Sequence, residues 1–193
     1  MKIGVLAIQG DFAEHIAMLT RLGVQAVEVR LPGQLDDLDG LIIPGGESTT
    51  IGKLCVDFDL LAPLQAFGRK HAIWGTCAGA IFLSKDAQRD QPLLGLMDIT
   101  VERNAFGRQV DSFEADLEIP PLNKATGTDG PYHAVFIRAP IIAAVHGKAR
   151  VLACLPDGRI VAARQGNLLA TSFHPELTED TRFHAFFLSL AKP

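Results

Sequence analysis

The sequence predicts an α/β fold, a doubly wound and mainly parallel sheet that carries an antiparallel extension. Three observations predict it. Short apolar runs alternate with amphipathic stretches over the first half of the chain, as in a parallel sheet covered by helices. Small-residue turns follow two of those runs, at Pro44-Gly45-Gly46 and Gly75-Thr76-Cys77-Ala78-Gly79, where such sheets bind ligands at the carboxyl ends of their strands. Beyond residue 98, strand-like runs follow one another across short turns, which points to antiparallel pairing.

The elements follow in order. Residues 2–8 read as a first strand, apolar enough for burial on both faces. Residues 12–22 read as a helix, with Ile16, Leu19 and Leu22 at helical spacing and Gly23 as its stop. Strands are expected at 24–29, at 41–43 with Gly40 leading in, and at 72–74. Helices are expected at 49–56, 60–70 and from Ala78 to about Lys85. Ser48 offers an N-cap for the first of these. The later strands fall at 99–102, 113–119, 134–137, 151–155, 160–165 and 168–173, and 182–190 reads as a closing helix. The polar stretch 85–92 and the turn-rich stretch 120–131 read as surface excursions.

Cys77 lies between small residues at a strand-to-helix junction. That setting suits a sharp turn lifting a nucleophile out at the end of a sheet. A cysteine at a helix N-terminus faces the positive end of the dipole, which favours the thiolate. Far downstream, a strand runs into His174-Pro175-Glu176. His174 can take the thiol proton, and Glu176 can hold the imidazole in one tautomer and stabilise its charged form. The paired glycines after Ile43 can turn N–H groups toward a developing oxyanion. The N–H groups of Gly46 and Ala78 are the expected hole. The plain alternatives are a buried structural thiol at Cys77 and a simple turn at Gly45-Gly46. Cys55 and Cys154 read as core residues. His15, His71, His133, His146 and His184 read as surface or satisfied core histidines. No cluster has metal-ligand spacing, so neither a metal nor a cofactor is expected.

These segments resemble the class I, or triad, glutamine amidotransferases. More narrowly, the chain resembles the glutaminase subunits of pyridoxal 5′-phosphate synthases. The segments that carry this likeness are Leu6-Ala7-Ile8-Gln9-Gly10-Asp11, Pro44-Gly45-Gly46-Glu47-Ser48-Thr49-Thr50, Val135-Phe136-Ile137-Arg138-Ala139-Pro140 and Ser172-Phe173-His174-Pro175-Glu176-Leu177-Thr178. The run from Val101 to Glu114, with Glu102-Arg103-Asn104-Ala105-Phe106-Gly107-Arg108-Gln109 at its heart, is the most specific. The resemblance implies a flavodoxin-like, three-layer α/β/α fold and hydrolysis of L-glutamine through a Cys77 thioester. It implies a Cys77, His174, Glu176 triad and glutamine contacts from Gly46, Glu47, Ser48, Arg103, Ile137 and Arg138. It further implies a hetero-oligomeric partner, the synthase (lyase) subunit, which takes up the ammonia. A guanidinium of Arg103 or Arg138 suits the carboxylate of glutamine. A structural salt bridge with a carboxylate such as Glu102, Asp111 or Glu114 is the alternative for each. Gln9-Gly10-Asp11 is expected near the oxyanion region or a partner surface, without a catalytic role.

Composition fits this reading. With 193 residues, a single domain over 1–193 is expected. Hydrophobic residues make up 48% and charged residues 21%, which suits a packed core. A net charge of −4 without basic runs gives no affinity for nucleic acid or an acidic membrane. No apolar stretch reaches the ~20 residues that span a bilayer. Three cysteines suggest no disulfide framework, so a reducing, cytoplasmic setting is expected. The competing functional readings are a glutaminase serving another synthase, a cysteine hydrolase or peptidase, and an interaction subunit without turnover.

Overall fold

A computed structural model of the protein describes residues 1–103 and 112–192. The most specific stretch of the resemblance, from Asn104 through Gln109, lies outside the described residues, and so does Asp111. The chain begins β1 (Lys2–Leu6), α1 (Phe12–Arg21), β2 (Gln25–Val29), β3 (Gly40–Ile43), α2 (Ser48–Asp57), α3 (Leu61–Gly68), β4 (Ala72–Thr76) and α4 (Ala78–Leu83). It continues β5 (Ser84–Asp86), β6 (Met97–Glu102), β7 (Ser112–Leu117), α5 (Pro120–Thr126), β8 (Tyr132–Ile137) and β9 (Ile141–Val145). The last elements are β10 (Arg150–Cys154), β11 (Ile160–Gln165), β12 (Leu168–Thr171) and α6 (Arg182–Leu190).

Among the described residues, the main sheet runs β2-β1-β3-β4-β12-β11-β9-β6-β5, with β10 paired to β11. Its first half, β2 through β12, is parallel. β11 then runs antiparallel to β12, and β9 antiparallel to β6. β7 and β8 form a separate antiparallel hairpin. The expected parallel sheet with an antiparallel extension is therefore present.

Alternation along the buried strands sorts the core into two layers. Leu41, Ile43 and Ile73 face α2, α3 and α4. Ile42 and Trp74 face the other way, into a layer with Phe183, Phe186 and Phe187 of α6. The β7–β8 hairpin adds Tyr132 and Phe136 to that second layer, where Phe173 meets Phe136 and Phe183 edge-on. Strands with both faces buried read as continuous apolar runs, which is why β1, β3 and β4 stood out in the sequence.

Four local expectations change. The helix after Cys77 stops at Leu83, and Ser84–Asp86 pairs as a strand with β6. Satisfying a sheet edge outweighs continued helix there. The 120–131 excursion contains α5, with prolines at its start and Gly127 closing it in a left-handed conformation. Its Leu122 is fully buried. β9 is a strand without a sequence signal of its own, a short Ile-Ile-Ala-Ala-Val run with no alternation to mark it. Finally, α2 begins at Ser48 and is capped by Glu47, whose carboxylate accepts the Thr50 N–H at 2.7 Å. Ser48 stands one position too late to cap it.

Candidate active site

Four adjacent parallel strands, β1, β3, β4 and β12, end side by side. The segment after each reaches one cleft, with a volume of about 460 Å³. β1 delivers Gln9, Gly10 and Asp11; β3 delivers Gly46, Glu47 and Ser48; β4 delivers Cys77 and Ala78; β12 delivers His174. The register explains the alignment: Ile43 lies opposite Gly75, and Thr171 opposite Thr76.

Cys77 sits on the turn between β4 and α4 with φ of 48°, a conformation that costs a non-glycine residue energy and that packing must enforce. Its N–H donates to the Thr171 carbonyl at 2.8 Å, tying the turn to β12. The turn also needs bare neighbours. A Cβ on Gly79 would overlap the Ile43 carbonyl, so α4 can lie this close to β3 only with glycine there. Cys77 lines the cleft although it is mostly buried.

The strand pairing of β12 ends at Thr171, and the chain then crosses to the hairpin, where the His174 N–H donates to the Val135 carbonyl at 2.8 Å. Pro175–Leu177 makes a tight 3₁₀ turn that swings Glu176 under the imidazole. His174 Nδ1 and Glu176 Oε1 are 2.7 Å apart, and the Glu176 side chain is fully buried. Burial works against a charged His174. Its hydrogen bonds to Cys77 and Glu176, together with their charges, outweigh that and push it up to about 10. Burial raises Glu176, while the hydrogen bond to His174 and its charge hold it down. The cysteine, the imidazole and the carboxylate therefore form one line from the cleft into the core.

On the other side of the cleft, Glu47 takes up several groups. Gln9 Oε1 accepts its N–H at 2.8 Å, and its carboxylate accepts both the N–H and the hydroxyl of Thr50. Arg103 reaches it at 2.8 Å and donates to Thr49 Oγ1 at 3.1 Å. Burial opposes ionisation of Glu47, but the Thr50 bonds and Arg103 hold it down to about 2. Arg103 is thus in a salt bridge, with a carboxylate none of the sequence alternatives named. Glu114 instead pairs with His133. Arg138, exposed at the cleft with φ of 43°, makes no ion pair among the described residues. Ile137 lines the cleft beside it. All six expected substrate contacts therefore reach the same cleft as Cys77.

One assignment from sequence does not stand. Cys154 is exposed, since β10 hangs from β11 outside the main strand path. His15 is a satisfied core histidine, fully buried and hydrogen-bonded to His184 and Thr76, and its Nε2 also lies 3.3 Å from Glu176 Oε2. The signal was the Glu14-His15-Ile16 run, which puts a histidine on the buried face of α1. Cys55 is buried as expected, and burial pushes its thiol up to about 12. Asp11, His174 and Glu176 bring ligand-type atoms within 4.8 Å of one another, a grouping that sequence spacing did not indicate. In that group His174 Nδ1 is already engaged by Glu176.

Among the described residues, no helix is long and apolar enough to cross a membrane. The model of the SNO glutamine amidotransferase family matches residues 5–192. A pyridoxal 5′-phosphate synthase subunit PdxT of Herpetosiphon aurantiacus is 60% identical over 98% of this chain and 100% of its own length. The same subunit of Moorella thermoacetica is 57% identical over 98% of this chain and 99% of its own length. A solved structure described as a crystal structure of glutamine amidotransferase is 50% identical, with a TM-score of 0.90 over 98% of both chains.

Proposed function

The chain belongs to the SNO glutamine amidotransferase family, and on that premise we propose that it is the glutaminase subunit of a pyridoxal 5′-phosphate synthase. It hydrolyses L-glutamine to L-glutamate and ammonia. The observation that carries this reading is the Cys77, His174, Glu176 line opening on a cleft lined by the expected glutamine contacts.

The sulfur of Cys77 attacks the side-chain amide carbon of glutamine, and His174 holds the thiol proton. The carbonyl oxygen becomes an oxyanion, met by the N–H groups of Gly46 and Ala78. Ala78 is the first residue of α4, so its N–H has no partner within the helix. The C–N bond then breaks, and His174 passes its proton to the nitrogen, which leaves as ammonia. Water attacks the thioester, giving a proton to His174. The C–S bond breaks, glutamate departs, and the thiol is restored. Glu176 keeps the imidazole aimed at the sulfur and supports its positive charge throughout.

Among the described residues Arg138 pairs with no carboxylate, and its guanidinium at the cleft is suited to the α-carboxylate of glutamine. Arg103 acts by holding Glu47 and the oxyanion loop in place. Free ammonia would be protonated in bulk water, so direct uptake by a synthase subunit in a hetero-oligomeric complex completes the reaction. The family match along almost the whole chain supports one glutaminase domain over 1–193. An uncapped catalytic thiol suits the cytoplasm.

The test is glutamate release from glutamine by wild type and Cys77→Ala, with and without the synthase subunit. Release that needs Cys77 and increases with the subunit is expected. A folded protein that releases no glutamate in either condition sinks the glutaminase reading.

A further inference from the structure

Behind the triad lies a second buried polar chain that the proposed chemistry does not use. His15 of α1 and His184 of α6 meet beneath Glu176. His15 Nε2 is 3.3 Å from Glu176 Oε2 and 3.2 Å from Thr76 Oγ1. His15 Nδ1 is 3.0 Å from His184 Nε2. Both imidazoles are fully buried, and Trp74 meets each of them edge-on.

The proton positions follow from the acceptors. An ionised carboxylate only accepts. His15 Nε2 faces Glu176 Oε2, so a bare nitrogen there would set lone pair against lone pair. Nε2 therefore carries the hydrogen, which is bonded to Thr76 Oγ1 and lies beside Oε2 at an N···O distance of 3.3 Å. A neutral imidazole has one N–H, so His15 Nδ1 is bare and accepts from His184 Nε2. His184 Nδ1 is then bare as well, in keeping with its lack of a hydrogen bond among the described residues. Burial, with the His184 and His174 charges, pulls His15 well below its ordinary value, and burial takes His184 down to about 3. Both are neutral at physiological pH, as this arrangement requires. Among the described residues, Glu176 Oε2 makes no hydrogen bond. Among the described residues, His15 Nε2 is the polar group that approaches it, and without a proton there a buried carboxylate oxygen would face the core alone.

We infer that His15 is a positioning residue for the triad: its Nε2–H anchors the far oxygen of Glu176 so that the near oxygen stays on His174, and His184 fixes the tautomer of His15. The inference rests on the glutaminase reading. It assigns α1 and α6 a part in catalysis through contacts that never reach the cleft. Among the described residues, the titratable groups facing His15 are Glu176, His174 and His184, and those facing His174 are Cys77, Glu176 and Asp11, whose Oδ2 is 3.6 Å from Nδ1.

The experiment compares wild type with His15→Leu, His15→Gln and His184→Phe, each with the synthase subunit and each checked for folding by circular dichroism. His15→Leu removes the donor. It is expected to lower kcat by roughly 10–100-fold with KM for glutamine little changed, the scale of a misaimed catalytic group. The alkaline limb of its pH–rate profile is expected to move to lower pH, because an unanchored Glu176 supports the His174 imidazolium less well. In His15→Gln the amide nitrogen overlays Nε2, so it is expected to recover most of kcat and return the limb toward its wild-type position. A folded His15→Leu with wild-type kcat and an unmoved limb overturns the inference. So does a kcat loss with no movement of the limb and no recovery in His15→Gln, since that marks a packing defect. Should His15→Leu not fold, His184→Phe decides: lower kcat with unchanged KM supports the inference, and wild-type kcat overturns it. Wild type that hydrolyses no glutamine refutes the glutaminase reading instead.

Discussion

Replacing Glu176 with glutamine tests the buried end of the catalytic line. The carboxylate sits 2.7 Å from His174 Nδ1 with no solvent around it. His174 is lifted from an ordinary 6.5 to about 10 in spite of its burial, which corresponds to about 5 kcal/mol in favour of the imidazolium. Two groups supply that support, Cys77 and Glu176. If the carboxylate supplies half, its loss removes about 2–3 kcal/mol, or roughly 50–100-fold in rate. The amide adds a second penalty, because its NH₂ can face Nδ1 and force the proton onto Nε2, where it blocks uptake from Cys77. Such tautomer inversion has cost on the order of 10⁴ in a serine protease triad. Glu176→Gln is therefore expected to lose at least about 50-fold in kcat. Its KM should stay close to wild type, because the residue does not line the cleft. Glutamate release measured from pH 6 to 10 is the assay. The alkaline limb should move to lower pH as the imidazolium loses its partner. A variant within about twofold of wild-type kcat, or one whose loss lies wholly in KM, would refute the reasoning.

Two further outcomes are expected. Glu47 is held down to about 2 in the folded chain against an ordinary 4.5, so its contribution to stability is present above pH 4.5 and lost as pH falls through about 2. Its side chain is 43% exposed, so after solvent screening Glu47→Gln should cost about 1 kcal/mol at pH 7 and flatten the acid limb of urea unfolding curves; an acid limb identical to wild type would count against the assignment. Cys154 is exposed and Cys55 is buried with its thiol pushed up to about 12; mass spectrometry after maleimide treatment at pH 7 should find Cys154 modified and Cys55 untouched until denaturant is added.

Much of this molecule was legible along the chain because its signals are local. An apolar run such as Gly40-Leu41-Ile42-Ile43 must be buried on both faces, and small residues around Cys77 mark a sharp turn wherever they occur. His174-Pro175-Glu176 carries its geometry in three consecutive residues: the proline-led turn alone brings the carboxylate under the imidazole. Other features were decided by distance. Ser84 to Asp86 became a strand because β6 offered an open edge. Arg103 chose Glu47 over the carboxylates near it in sequence because β6 ends beside the loop that follows β3. His15 could not be assigned a role from α1 alone, since the residues that give it one are contributed by β4, the turn after β12, and α6.

The sequence by itself determined the candidates for chemistry: a cysteine on an elbow, a histidine with its carboxylate, a glycine loop and the strands that would carry them. Local backbone constraints and binary burial patterns act over a few residues, so they can be read in one dimension. Only the tertiary structure decided which groups share a proton or a charge. Hydrogen bonds act over about 3 Å, and four strand ends remote in the chain come within that reach only after the sheet has set their order and register.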